Sequence, residues 1–168
     1  LVGLQRNESR YVMDFLFDEV LENEPPAVKE FLLKTALLVR FNAALAAEVT
    51  GFELQTCHRI LGDLRFANLF VVALDREWEW FRYHRQFQAM LVDRLHALFA
   101  AAEIDAIRAK AAEWLACHDH VDDALAEYSA NGRWAAAVEL IETDRHHLMN
   151  CEEWHVLWRR ISQLPEAI

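Results

Sequence analysis

The stretch that decides the fold is Ala67-Asn68-Leu69-Phe70-Val71-Val72-Ala73-Leu74-Asp75, followed closely by Trp80-Phe81-Arg82-Tyr83-His84-Arg85-Gln86-Phe87. Residues 69–74 and 78–83 are rich in β-branched and aromatic side chains, and Asp75-Arg76-Glu77 joins them. This pattern predicts a β-hairpin with a short polar connection. An amphipathic helix follows at once, with Phe87, Met90, Leu91, Leu95 and Leu98 on one face.

Helical patterns precede the hairpin. One spans residues 9–22, and a second begins at Pro25-Pro26 and carries an apolar stripe that reaches Val39. Asn42 is predicted to cap a short helix that Thr50-Gly51 ends. A further helix, residues 52–66, has Leu54, Cys57, Leu61 and Leu64 on one face. The order of helices, hairpin and helix is typical of a winged helix, and the hairpin must pack on the helices because a lone hairpin is marginal in water.

Only helical patterns follow residue 100. Val121 and Trp154 open two similar apolar stripes 33 residues apart, which is near the period of helix-turn-helix solenoid repeats. We therefore expect a mostly α protein in three parts. Residues 1–24 would end a preceding helical domain, 25–98 would form a winged-helix domain, and 99–168 would start a TPR-like helical array. The chain begins without Met and inside apparent secondary structure, so it is expected to be a fragment of a longer protein.

The composition is that of an ordinary globular protein, with 54% hydrophobic and 26% charged residues among 168. The net charge of −10 weighs against a large surface for nucleic acid, because cations on phosphates supply most of that affinity. The sequence has three cysteines, Cys57, Cys117 and Cys151, and all lie in helical patterns. An odd number in such positions favours reduced thiols in the cytoplasm over a disulfide framework. No run approaches 18 apolar residues, so no membrane partner is expected.

The motifs of common catalytic sites are absent from the sequence. It contains no G-x-x-x-x-G-K-[ST], G-x-S-x-G, H-E-x-x-H or C-x-x-C, so we predict no enzyme, no catalytic residue and no cofactor within these residues. His147, Cys151 and His155 would share one helical face but span too great a length for a single ion. We predict no metal there, and a cap or surface role for Cys117-His118-Asp119-His120.

A winged helix often binds DNA through the helix before its hairpin, here residues 52–66. The charges of Glu53, Arg59, Asp63 and Arg65 sum to zero, and phosphate binding needs an excess of cations. Packing against other protein is therefore favoured over DNA binding. The aromatic side chains are likewise assigned to packing rather than to a stacked ring ligand: Trp78, Trp80, Phe81 and Tyr83 in the hairpin, and Trp114, Trp134, Trp154 and Trp158 between helices.

Several ordered segments resemble the MalT-like large ATP-binding regulators of the LuxR type. They are Ser9 to Leu21, Phe31 to Ala36, Glu48-Val49-Thr50-Gly51, Ala67-Asn68-Leu69-Phe70, Leu74-Asp75, and Phe81-Arg82-Tyr83-His84 with Phe87. The resemblance covers residues 9–98, and 104–145 more loosely through the Ala-Ala-Glu-Trp and Asn-Gly-Arg-Trp segments. The chain departs from the family at Ala73, where Pro is common, and at Arg85-Gln86, where His-Leu is common.

The resemblance implies a middle section of a bacterial transcription activator of the signal-transducing NTPase class. In such a protein the nucleotide-binding domain of the same chain would be a partner, and ATP or ADP would bind there. An inducer or regulatory protein would bind the helical array, and DNA would bind only a C-terminal domain outside these residues. His84 corresponds best to the winged-helix histidine that approaches the β-phosphate of ADP in related proteins. The alternative for His84 is a structural role, capping the next helix or packing beside Phe87.

Three functions therefore remain open. The main hypothesis is a regulatory coupling module between a nucleotide-binding domain and a helical sensor. The second is a stand-alone DNA-binding winged helix with a helical dimerisation tail, and the third is a helical-repeat scaffold that binds peptides in a groove. Flanking sequence with a P-loop upstream and a helix-turn-helix downstream would establish the coupling module.

Overall fold

The computed structural model contains the expected hairpin and helices, with several boundaries that differ from the prediction. The structure describes residues 21, 23–66, 71–150 and 154–165, without the side chains of His146, His147 and Asn150. The helix predicted over 9–22 lies outside these residues except for Leu21. The described residues form two compact units, one ending at Ala100 and the other beginning at Ala101.

The first unit contains four helices and a two-stranded sheet in its described part. They are α1 (Pro26–Thr35), α2 (Ala43–Thr50), α3 (Leu54–Phe66), β1 (Val71–Ala73), β2 (Phe81–Tyr83) and α4 (Arg85–Leu98). The prediction of a mostly α protein with a winged helix is confirmed.

Helix α1 is shorter than its apolar stripe predicted. It ends at Thr35, and Val39, expected on the buried face, is 66% exposed. The physical reason lies far along the chain in α4. The Gln88 side-chain amide donates at 2.9 Å to the carbonyl oxygens of both Ala36 and Leu38, which holds this segment in a turn.

Helix α2 begins and ends where its capping residues predicted. The Asn42 side-chain oxygen accepts a hydrogen bond from the Leu45 backbone N–H at 2.8 Å. Gly51 ends the helix in the left-handed conformation with φ 78°, which only glycine adopts without a steric cost. In α3 the predicted face is buried through Cys57, Leu61 and Leu64, but Leu54 is 48% exposed.

The two strands are shorter than predicted and the loop between them is longer. β1 pairs antiparallel with β2, Val72 opposite Arg82, and the loop runs from 74 to 80. The Asp75 carboxylate accepts backbone N–H bonds from Glu79 and Trp80, both at 2.8 Å, so these residues follow a turn instead of extending the strand. Residues 69 and 70, also predicted as strand, lie outside the described residues.

A reciprocal bridge joins the sheet to the segment between α1 and α2. The N–H of Phe41 donates to the Phe81 carbonyl and the N–H of Phe81 donates to the Phe41 carbonyl, both at 2.8 Å. The Phe41 and Tyr83 rings lie 4.8 Å apart, and Tyr83 also contacts Phe87 at 5.8 Å. These aromatic side chains are all buried and anchor the hairpin on the helices.

The second unit consists of helices in its described residues: α5 (Ala101–Cys117), α6 (Val121–Ala130), α7 (Trp134–Asn150) and α8 (Trp154–Ile161). Each packs on the next along the chain. The steps from Ala101 to Trp134 and from Val121 to Trp154 are both 33 residues, so the two helical hairpins keep the spacing seen in the sequence.

Ion pairs tie the helices of the second unit together. Arg108 on α5 bonds at 2.7 Å to Glu127 on α6, whose side chain is almost fully buried. The buried Arg160 on α8 bonds to Asp122 on α6 at 2.7 Å and to Asp144 on α7. These pairs hold α8 against two preceding helices.

The prediction that four tryptophans pack between helices is wrong for α8. Trp154 and Trp158 are 54% and 73% exposed, whereas Leu157 and Arg160 are buried. The i, i+4 spacing places both rings on one face, and no described helix covers that face. Trp114 and Trp134 are half-buried.

Among the described helices, none has the length and apolar character to cross a membrane.

Candidate functional site

His84 lies at the junction between β2 and α4 and is exposed to solvent. It is the N-cap residue of α4, and its backbone carbonyl accepts the N–H of Gln88 at 2.9 Å. It therefore occupies the capping position, although its imidazole makes no capping hydrogen bond. The ring is therefore available for a contact with a partner.

The surroundings of His84 favour an anion. Arg82 and Arg85 are both exposed and flank it in sequence, and the first turn of α4 has no acidic residue. The first backbone N–H groups of a helix lack intrahelical acceptors and carry a partial positive charge. Two arginines and a histidine are thus close in sequence at a helix N-terminus, and cationic side chains together with free backbone N–H groups are chemistry that suits a phosphate.

A cleft of about 420 Å³ lies between α3 and the loop that joins the strands. We call it the α3–loop cleft, and its lining residues are Asn42, Ala43, Ala44, Leu54, His58, Leu61, Gly62, Arg65, Glu77, Trp78, Glu79 and Phe81. Leu61 and Phe81 are buried, whereas Glu77, Trp78 and Glu79 are exposed on the loop. The cleft was not predicted from the sequence because its walls come from three separated segments. The one available signal was Gly62, a glycine inside a helical pattern.

The prediction that the hairpin aromatics belong to the core is wrong for Trp78, whereas Trp80 is half-buried and Phe81 and Tyr83 are buried as expected. Trp78 is 48% exposed, and the Arg65 guanidinium lies 4.0 Å from its ring centroid. Arg40 lies in the same way over Trp80, at 4.6 Å. Each indole thus stacks with a cation, at the exposed Trp78 and at the half-buried Trp80.

The candidate reader helix α3 remains poor in available positive charge. Arg59 and Arg65 are exposed, but so is Asp63, and Arg65 is already stacked on Trp78. The loop opposite carries the exposed carboxylates of Glu77 and Glu79. DNA phosphates approaching both elements would meet these carboxylates, which disfavours binding.

The cysteine and histidine cluster of the second unit lies at the exposed turn between α5 and α6, as predicted. Asp119 adopts a left-handed conformation there, with φ 62°. His118 stacks on Trp114 with ring centroids 3.8 Å apart, and its Nδ1 lies 2.7 Å from the Trp114 carbonyl oxygen. Within the described residues, no three His, Cys, Asp or Glu side chains are grouped to hold a metal ion. Cys151 and the His147 side chain lie outside them.

Comparison with known proteins identifies the family. The profile of the MalT winged helix domain matches residues 17–103, which is more than half of the chain. The HTH-type transcriptional regulator MalT of Cronobacter sakazakii (strain ATCC BAA-894) is 32% identical over 155 residues, covering 92% of this chain. MalT of Klebsiella pneumoniae (strain 342) is 31% identical over the same length. The chain spans 17% of the length of each of these curated relatives. The matched region is a winged helix and the first unit has that architecture, so the chain belongs to the MalT family of regulators.

Proposed function

We propose that this chain is the regulatory coupling section, from the middle of a bacterial ATP-dependent transcription regulator in the cytoplasm. The winged-helix unit holds the nucleotide-binding domain of the same protein in a closed, ADP-bound state. The helical array of the second unit, which we propose is TPR-like, receives an inducer or a regulatory protein. The relatives are HTH-type transcriptional regulators by name, which supports the regulatory part of this proposal.

The observation that carries the proposal is the state of the His84 imidazole. It is exposed, makes no capping bond and lies at the N-terminus of a helix, close in sequence to the exposed Arg82 and Arg85. An imidazole beside a phosphate donates a hydrogen bond and gains positive charge more readily. If His84 contacts the β-phosphate only in the closed state, its loss shifts the population toward the open state by that contact's free energy.

The test compares His84→Ala with wild type in the full-length regulator that the proposal implies. His96→Ala is the matched control, because His96 is also exposed and lies at the far end of the same helix. We expect His84→Ala to weaken ADP binding about tenfold, since a hydrogen bond to a charged group contributes roughly 1.5 kcal/mol or more. Transcription without inducer should rise, and His96→Ala should change neither quantity. Unchanged ADP affinity together with unchanged basal transcription would make His84 a structural residue.

The rival function is a stand-alone DNA-binding winged helix. We expect no useful affinity of this chain for duplex DNA, given the acidic loop and the net charge of −10. Salt-sensitive submicromolar binding that disappears on replacing Arg59 and Arg65 would favour the rival instead.

A further inference from the structure

The α3–loop cleft has no part in the coupling role of His84, and several features show that it is kept open. Gly62 lies within α3, where glycine is less stabilising than alanine. A Cβ atom added at Gly62 would meet no heavy atom within 4 Å, so the fold itself has no need of glycine there. A larger side chain at this position would instead occupy the cleft.

The opposite wall of the cleft is held in a strained conformation. Trp78 has φ 60°, which is rare for a bulky residue because its Cβ crowds the backbone. The two hydrogen bonds to the Asp75 carboxylate and the stacked Arg65 keep the loop in this shape. Strain of this kind persists where the surrounding contacts determine the backbone, and such positions cluster at binding sites.

The chemistry of the walls favours a cationic side chain. Leu61 and Phe81 provide an apolar floor, and the Trp78 ring remains 48% exposed at the rim. Glu77 and Glu79 flank the ring, and within the described residues no ion pair engages either carboxylate. An aliphatic stem would cover the floor while its cationic head reaches the two carboxylates, as long basic side chains do at amphipathic surfaces.

We propose that the α3–loop cleft binds an arginine or lysine side chain presented by a segment of a protein partner. Its volume of about 420 Å³ suits one long side chain with its flanking backbone. An anion is disfavoured, since the only guanidinium of the lining, Arg65, is stacked on Trp78 and is outnumbered by two carboxylates. Partner binding here is independent of the ADP contact at His84.

The test titrates the 168-residue chain with three capped tripeptides: acetyl-Leu-Arg-Leu-amide, its citrulline counterpart and its glutamate counterpart. Citrulline has the shape of arginine without the charge. The readout is the indole N–H resonance of Trp78 in nitrogen-15 spectra, assigned with Trp78→Phe. We expect the arginine peptide to bind, the citrulline peptide to bind about tenfold more weakly, and the glutamate peptide not to bind.

Three variants separate the cleft from the rest of the surface. Gly62→Leu should abolish binding of the arginine peptide, while its midpoint of thermal unfolding stays the same or rises. The double variant Glu77→Gln with Glu79→Gln should bind the peptide about tenfold more weakly. Asp93→Asn, an exposed carboxylate on α4, is the matched control and should bind as wild type does. Equal binding of the arginine and citrulline peptides, or a wild-type affinity in Gly62→Leu, would overturn the proposal. A Trp78 shift caused by inorganic phosphate in place of the arginine peptide would show an anion site and would also overturn it.

Discussion

The buried hydroxyl pair between α1 and β2 leads to an unequal effect of two similar substitutions. Thr35 Oγ1 lies 2.6 Å from both the Phe31 carbonyl oxygen and the Tyr83 hydroxyl. Because the Phe31 carbonyl can only accept, the Thr35 hydroxyl donates to it, and the Tyr83 hydroxyl must donate to Thr35. Burial raises the pKa of the Tyr83 hydroxyl far above its usual range, so it remains a donor at any working pH.

Removing the Thr35 hydroxyl, which accepts from Tyr83, should therefore lower the free energy of unfolding more than removing the Tyr83 hydroxyl, which donates. Thr35→Val leaves the Tyr83 hydroxyl fully buried without a partner, which costs about 1–3 kcal/mol. Tyr83→Phe leaves Thr35 still bonded to Phe31, and the loss of one hydrogen bond costs about 0.5–1.5 kcal/mol. The double variant buries no unpaired donor and should lie within about 1 kcal/mol of wild type.

The assay is equilibrium unfolding in urea, followed by circular dichroism, for wild type, both single variants and the double variant. Hydrogen exchange at the amides of α1 assigns the change in stability to the first unit. The double-mutant cycle gives the coupling energy directly. The assignment of donors and acceptors would be refuted if the changes in unfolding free energy of the two single variants simply added in the double variant. It would also be refuted if Tyr83→Phe were as destabilised as Thr35→Val.

Further predictions concern the second unit and two glycines. Burial raises the pKa of Glu127, and this effect outweighs that of the nearby Arg108. Because the folded protein binds this proton more tightly than the unfolded chain does, protonation of Glu127 stabilises the fold. This contribution is complete below the ordinary glutamate pKa and is lost as the pH rises through the raised pKa. Glu127→Gln should remove this part of the acid-to-neutral stability profile, measured by urea unfolding across that range. Arg160→Met should cost about 1–3 kcal/mol and raise amide exchange throughout α8, whereas Arg159→Met, at an exposed pair, should cost less than about 1 kcal/mol. Thermal unfolding should show Gly51→Ala destabilised by about 1 kcal/mol through its positive φ, and Gly62→Ala stabilised by about 0.5–1 kcal/mol; a stabilised Gly51→Ala would contradict the first.

Features that depend on local chemistry were predictable from the sequence. Asn42 and Gly51 bound α2 because an amide oxygen can accept an N–H in the first turn and glycine can adopt a positive φ after the last. The hairpin followed from composition, and the 33-residue spacing of the later helices followed from their apolar stripes. These signals lie within a few residues of the structure that they determine.

Features that depend on distant partners were not predictable. The end of α1 is determined by Gln88, about 50 residues further along the chain. The positions of Trp78 and Trp80 depend on which backbone groups the Asp75 carboxylate engages. In α8, spacing correctly marked an amphipathic helix but could not show whether another element covers Trp158.

The candidate site likewise has one part that the sequence predicted and one part that it did not. His84 was found by resemblance, and the structure adds its exposure and its unbonded side chain at the start of α4. The α3–loop cleft exists only in the folded chain, because helix ends, a helix face and a loop contribute to it together. Only the glycine at position 62 departed from its local pattern.

The reciprocal bridge between Phe41 and Phe81 has a consequence for the order of folding. The bridge joins residues 40 positions apart, so its formation must overcome the entropy of closing a long loop. A hairpin with strands of three residues cannot precede this closure as a stable species. The helices should therefore form first, and closure around Phe41 should limit the rate. Stopped-flow refolding checks this: Phe41→Leu should slow folding, whereas a substitution confined to the surface of α3 should mainly change the unfolding rate.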